Sequence, residues 1–256
     1  PGKDYLRPEI NVIIDDMIDR KDKSNFSHFL QNWINEKINY ELKSLTDLKN
    51  INTTNSSIRA LAYQLYENNG VIKRENAKDF IKKLAQEERK ILRNLGVKFG
   101  RYHIFLFKLF KPSSVSLRIA LWKNFHQKYF ELKPPTFGLN FLKENKEYSR
   151  DFMLLCGFEK FDNFFVRIDI LERLFIKIID LKNEKEIKLT SEMLNLLGCN
   201  KEDFLKLIKK MNYYSYEKNQ ETYFKYSPIK NTKKQFSSRV LKKENPFNVL
   251  KNINFK

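Results

Sequence analysis

The sequence predicts a mainly α-helical protein with small β elements, arranged as a helical body followed by a winged-helix-like C-terminal unit. Three features predict it. Apolar residues recur at helical spacing over long stretches. Polar caps and Gly or Asn stops punctuate those stretches. Two aromatic-rich runs flank a polar turn just after a pair of capped helices, late in the chain.

Taken in order, the first helix is expected over Ser24 to Leu45, where Phe26, Phe29, Leu30, Trp33, Ile34, Ile38, Leu42 and Leu45 form one stripe and Ser24 is placed as the cap. INTTNSS, residues 51–57, has no period and many turn formers, so it reads as a loop. A second helix follows over about Ile58 to Asn68, closed by Asn69-Gly70. A third is expected over about Glu75 to Leu95, with Phe80, Ile81, Leu84, Ile91, Leu92 and Leu95 inward and Gly96 as its stop. From Gly96 to Pro112, aromatic residues and glycines suggest a short strand or an extended buried crossing, and period alone does not separate the two. Pro112-Ser113-Ser114 then opens a helix through Val115, Ile119, Trp122 and Phe125.

The Pro pair at 134–135 is the expected domain boundary, giving a helical domain over 1–135, a winged-helix-like unit over 136–227 and a basic arm over 228–256. In the second unit, Phe158 to Ile168 reads as a hairpin about Asp162-Asn163, and Ile170 to Leu181 as a helix. Thr190 is placed to cap a short helix that stops at Gly198, and Asn200 caps the next, with Asp203 three residues on. Phe204, Leu207, Ile208 and Met211 share one face of that helix, and Lys206, Lys209, Lys210 and Tyr213 share another. YYSYEKNQETYFKYS behind it is the expected wing.

Composition narrows the function classes. With 256 residues, 41% of them apolar, and only 7 Gly and 7 Pro, the chain is neither disordered nor collagen-like, and it can bury a sizeable core. Cys156 and Cys199 are too few for a disulfide framework and lack metal-ligand spacing, so a reducing, cytoplasmic compartment is expected and both thiols read as small hydrophobes. No apolar run approaches membrane-spanning length, and the start lacks a secretory signal, so no membrane partner is expected. A chain that begins without Met also reads as a piece of a longer protein.

Charge is the strongest functional signal. Lys plus Arg total 49 against 31 Asp plus Glu, a net +18. From Arg89 to Phe130 there are ten basic residues and no acidic one, and from Lys201 to Lys256 fourteen basic against five acidic, or 14 − 5 = +9. A solvated lysine-rich face explains a general excess. It does not explain 42 consecutive residues without a carboxylate. The expected partner is therefore RNA or DNA, single-stranded, with Arg89, Arg93, Lys98, Arg101, Lys108, Lys111, Arg118, Lys206, Lys209 and Lys210 as candidate phosphate contacts. Tyr102 and Phe105 would stack on bases if exposed, though both read more simply as core.

Catalytic signals are weak. No G-x-x-x-x-G-K-[ST] loop occurs, and His28, His103 and His126 lie in separate segments, which argues against a nucleotide motor or a metal site inside the chain. Asp15, Asp16 and Asp19 form an acidic cluster that reads as helix N-terminal charge or a solvated loop. No catalytic residue, metal or cofactor is assigned to this chain.

One block goes further. RKILRNLGVKFGRYHIFLFKLFKPSSVSLRIALW, residues 89–122, resembles the block of the helicase-related proteins of alphaproteobacteria in which L-G-V-R-F-G is followed by aromatics, L-K-P and a helix ending in Leu-Trp. YLRPEI, SIRALAYQLYENNGVI, VRIDILERL, SEMLNLLGCNKEDFLKLIKKMNY and NPFNVLKNI agree with it in order, so the resemblance covers nearly the whole chain. Those proteins are superfamily 2 enzymes similar to the RNA helicase of the mitochondrial degradosome. The resemblance implies an accessory C-terminal part of an ATP-dependent helicase. Its ATP and Mg would be bound by upstream motor domains whose motifs have no counterpart here. Several Arg positions of the block are Lys here, which keeps the charge and loses the bidentate fork. The alternatives are a module docking an acidic partner, such as a nuclease or a ribosomal protein, and a winged-helix DNA-binding regulator.

Overall fold

A computed structural model describes residues 4–13, 20–51, 55–127, 131–144, 147–181 and 186–227, with backbone only at 20 and 21. The acidic cluster Asp15, Asp16 and Asp19 and the basic arm 228–256 lie outside the described residues. The fold class is mainly α with three small antiparallel sheets.

After a non-helical stretch over 4–13 come two helices, α1 (Arg20–Glu41) and α2 (Lys43–Lys49). The single helix expected over Ser24 to Leu45 is broken at Leu42, and the two ends of its stripe differ. Ile38 of α1, Leu42 at the break and Leu45 of α2 are buried, whereas Phe26, Phe29 and Trp33 of α1 stand in solvent, Phe29 at 66% exposure. Because α1 begins at Arg20, Ser24 lies inside the helix and does not cap it.

Among the described residues that follow, one order of elements occurs three times: a long helix, a short strand, one or two helices, then a hairpin. The first unit holds α3 (Ser56–Glu67), β1 (Val71–Lys73), α4 (Lys78–Lys83), α5 (Gln86–Asn94), β2 (Val97–Phe99) and β3 (His103–Leu106). After a 3-10 turn at Phe107–Phe110, the second unit holds α6 (Pro112–His126), β4 (Phe141–Lys143), α7 (Arg150–Leu155), β5 (Phe158–Phe161) and β6 (Phe164–Arg167). The third holds α8 (Ile168–Asp180), β7 (Ile187–Lys188), α9 (Ser191–Leu197), α10 (Lys201–Lys210), β8 (Tyr213–Lys218) and β9 (Glu221–Tyr226). In every unit the last strand is central, giving the orders β1-β3-β2, β4-β6-β5 and β7-β9-β8. The leading helices start at Ser56, Pro112 and Ile168, so 112 − 56 = 56 and 168 − 112 = 56 residues separate them.

Local chemistry accounts for most boundaries. Asn55 accepts the N–H groups of Ser57 and Ile58 at the start of α3, and Asn69 and Gly70 take positive φ at its end. Asn200 accepts from Asp203 N–H at 2.8 Å, and Gly198 adopts the left-handed conformation between α9 and α10. Thr190 flanks α9, but its side chain makes no capping bond.

The single helix expected over 75–95 is broken. Leu84 turns extended, with ψ at 122°, and is buried, while Glu88 accepts the Ala85 N–H at 2.7 Å to start α5 afresh. Strands β1, β4 and β7 and helix α7 are too short to show a period, and the sequence reading lacks them. Every residue of β3 is buried, because this central strand faces one core through Ile104 and Leu106 and another through Phe105.

The expected boundary at Pro134-Pro135 does not separate two cores. Val115 and Ile119 of α6 pack with Phe152, Met153, Phe158 and Phe165, all from beyond it. Burying each such side chain contributes roughly 2 kcal/mol, so the cluster ties the two sides together.

Candidate nucleic-acid interface

The acid-free segment folds into α5, the β2–β3 hairpin, the 3-10 turn and α6, and this placement sorts its cations by environment. Arg93, Lys98, Arg101, Lys108 and Lys111 are exposed, and among the described residues none has a carboxylate partner. Some lie against aromatic rings. The Arg93 guanidinium is 5.8 Å from the Phe99 ring, Lys98 Nζ is 6.0 Å from the exposed ring of Phe107, and Arg101 is 5.9 Å from Tyr102 and 6.0 Å from Tyr226 of β9. Arg101 thus reaches from the first unit's hairpin to the third unit's sheet.

Arg118 is a correction. It is fully buried, 0% exposed, and donates to three backbone carbonyls: Asn69 at 3.0 Å, Leu109 at 2.8 Å and Leu155 at 2.7 Å. Two of these lie at helix C-termini, Asn69 just past α3 and Leu155 at the last position of α7, where carbonyls lack intrahelical partners. Burial depresses its pKa to about 10, which still leaves it charged at neutral pH. The residue is a structural clamp between the first two units, shut off from any phosphate. Arg89 is half-buried and gives one N–H to Ile81 O at 2.9 Å, so it is partly committed to the fold.

On α10 the basic face is partly neutralised. Lys206 pairs with Asp203 at 3.4 Å and Lys210 with Asp162 at 2.7 Å, which leaves Lys209 exposed without a carboxylate partner among the described residues. The Lys210–Asp162 pair is exposed on both sides and worth little energetically, whereas Asp203 is buried at the start of α10 and stays beside Lys206. Both pairs lower the net charge that the face presents.

Phe105 is a core residue and Tyr102 is half-buried against the core of the third unit, so neither is a free stacking platform. Tyr102 meets the Phe175 ring edge-on at 4.6 Å, and Phe105 is buried 5.4 Å from Phe110. The aromatic platform lies elsewhere. On the outer face of the third sheet, register places Tyr214 opposite Lys225 and Tyr216 opposite Tyr223, while Tyr213 and Phe224 point into the core. Tyr214 and Tyr216 centroids are 6.2 Å apart, Tyr216 and Tyr223 6.1 Å, both nearly parallel, and Lys225 Nζ lies 5.8 Å from Tyr216. The alternation in YYSYEK and ETYFKY carries this signal; it assigns the hairpin but not which tyrosines face water.

Behind the surface lies a buried ionic cluster. His103 on β3 sits between Glu172 on α8, Nδ1 to Oε1 at 3.2 Å, and Glu159 on β5, Nε2 to Oε2 at 3.3 Å. Lys73 and Arg150 each approach Glu159 at 3.4 Å. Burial by itself would depress the His103 pKa, but hydrogen bonds and charge from the two carboxylates outweigh it and raise the pKa above its ordinary value. Burial likewise opposes ionisation of Glu159, and His103, Lys73 and Arg150 overcome it, holding the carboxyl down at about 2. The cluster joins elements from all three units, β1 and β3, α7 and β5, and α8. It orients the 100–102 turn, because Glu172 also accepts the N–H groups of Arg101, Tyr102 and His103.

Burial raises the Cys156 thiol to about 12 and Cys199 to about 11, so neither presents a thiolate at neutral pH. Among the described residues no helix is long and apolar enough to cross a membrane. Comparison with known proteins finds no matching family model, curated protein or solved structure.

Proposed function

We propose that this chain is the accessory, strand-holding C-terminal part of an ATP-dependent RNA or DNA helicase, whose ATP and Mg are handled by motor domains upstream. The observation that carries this reading is the set of exposed cations, Arg93, Lys98, Arg101, Lys108 and Lys111, that lack carboxylate partners among the described residues. Two of them, Lys98 and Arg101, lie beside the exposed rings of Phe107 and Tyr226, which could meet an unstacked base. The resemblance of residues 89–122 supplies the helicase context. We read the third unit, and by its element order each of the three, as winged-helix-like; the support is the succession helix, strand, helices, hairpin with the last strand central.

Anisotropy of a fluorescein-labelled 20-nucleotide single strand, in RNA and DNA forms, tests the proposal. With five cations each neutralising one phosphate, affinity falls about a hundredfold between 50 and 200 mM salt. A flat salt response overturns it.

A second reading, a protein-docking module, is favoured by the exposed Phe26, Phe29 and Trp33 on α1. A pull-down performed after complete digestion of RNA and DNA separates the two. An acidic partner retained by the wild type and lost with Phe29→Ser/Trp33→Ser supports docking.

A further inference from the structure

Between the N-terminal segment, α3 and the end of α6 lies a cleft of about 660 Å³, within the size range of small-ligand sites. Helix α3 buries its opposite face through Ile58, Leu61 and Leu65, while on α6 Trp122 shares the face of Val115 and Ile119 and packs half-buried against their core, so that it lines the cleft only in part. What remains on the cleft side of α3 is Arg59, Tyr63 and Glu67, spaced i, i+4, i+8 and so aligned in one row. Across from them α6 presents Trp122 and Phe125. Tyr63 is 64% exposed and Phe125 37%, so two aromatic rings from different helices face water around the same opening. Tyr5 also lines the cleft, but its hydroxyl is buried out of reach of solvent, under the influence of the buried Arg118 guanidinium, and is not open to a ligand there.

We propose that this cleft receives one unpaired, amine-bearing nucleobase with its phosphate, as a free nucleotide or as a residue of a bound strand. The base would slot between Tyr63 and Phe125. Glu67 would accept from its exocyclic amine, and Arg59 at the far end of the row would meet the phosphate. Asp4, also in the cleft, is already neutralised by Lys49 at 2.7 Å. With Lys49 and Asp4 paired, Arg59 and Glu67 are the charges left to the ligand, one of each sign, which suits a ligand carrying both an anionic and a hydrogen-bond-donating group. The strand-bound form rests on the strand-holding reading above; the free-nucleotide form does not.

The chain has two tryptophans, Trp33 and Trp122, so Trp33→Phe leaves the cleft residue as sole indole fluorophore. In that background AMP is expected to quench Trp122 saturably. Tyr63→Ala, Phe125→Ala and Glu67→Gln should each weaken the effect about tenfold, and UMP, without the amine, should act more weakly than AMP. These side chains are exposed, so unchanged circular dichroism is expected for all three. In a second arm, a 12-nucleotide strand carrying one 2-aminopurine should lose the probe's emission on binding, and recover it in Tyr63→Ala. Silence of Trp122 toward both AMP and the strand overturns the proposal, as does quenching that survives both Tyr63→Ala and Phe125→Ala. If the strand still binds with salt-dependent anisotropy while Trp122 is silent, the cleft assignment falls and strand-holding stands. If AMP binds and no strand does, the cleft assignment stands and the strand-holding reading falls.

Discussion

His103 and Glu172 are joined twice: the backbone N–H of His103 donates to Glu172 Oε1 at 2.7 Å, and ring Nδ1 lies 3.2 Å from the same oxygen. The carboxylate therefore fixes both the hairpin turn and the imidazole. Gly100 makes the approach possible. A Cβ there would run into the Glu172 carboxyl and lie 2.8 Å from His103 O.

Stability should depend on pH through this cluster. The folded pKa of His103 lies above its ordinary 6.5, so its contribution is complete below pH 6.5 and is lost as pH rises through the folded value. Glu159 is depressed from 4.5 to about 2, so its contribution is complete above pH 4.5 and lost as pH falls toward 2. Together they favour the window between pH 4.5 and 6.5. Urea midpoints should be higher at pH 5.5 than at pH 8.5, and His103→Gln should flatten that difference. An equal difference in the variant would detach the effect from His103.

Gly100→Ala should destabilise by more than 2 kcal/mol, because either Glu172 or the turn must move and the buried hydrogen bonds from Tyr102 and His103 weaken with it. Equilibrium urea unfolding measures this, and a change below 0.5 kcal/mol, roughly the scale of a surface substitution, would contradict it.

Arg118→Met should cost about 3 kcal/mol, since three buried carbonyls lose their donor while the desolvation cost of one charge is removed. Arg118→Lys keeps the charge but cannot span all three acceptors, so it should fall in between. If the salt slope of strand binding changed in Arg118→Lys while stability did not, the clamp assignment would be wrong.

Lys98→Gln and Lys108→Gln should each reduce the slope of log affinity against log salt by about 0.7 for a single strand. Lys206→Gln should change it less, because Asp203 already neutralises that cation at 3.4 Å. Equal slopes for all three would mean that the ion pair does not discriminate them.

Tyr214 is 59% exposed at the Lys225 end of the outer face of β8 and β9. Tyr214→Ala should weaken single-strand binding by roughly 1–3 kcal/mol with little change in melting temperature. A loss of stability matching the loss of affinity would make the residue structural.

The helices at 56–67, 112–126, 168–180 and 201–210, the hairpins at 158–167 and 213–226 and the segregation of charge follow from local pattern, because periods, caps and stops act over a few residues. The sequence by itself determines that much. Tertiary structure decided which cations meet water: Arg118 reads like its basic neighbours until carbonyls 37 and 49 residues away enclose it. It likewise decided that His103 faces carboxylates 56 and 69 residues on, and that strands as short as β1, β4 and β7 complete three alike sheets. Such partners are chosen by packing across the core, where sequence separation leaves no local period to read.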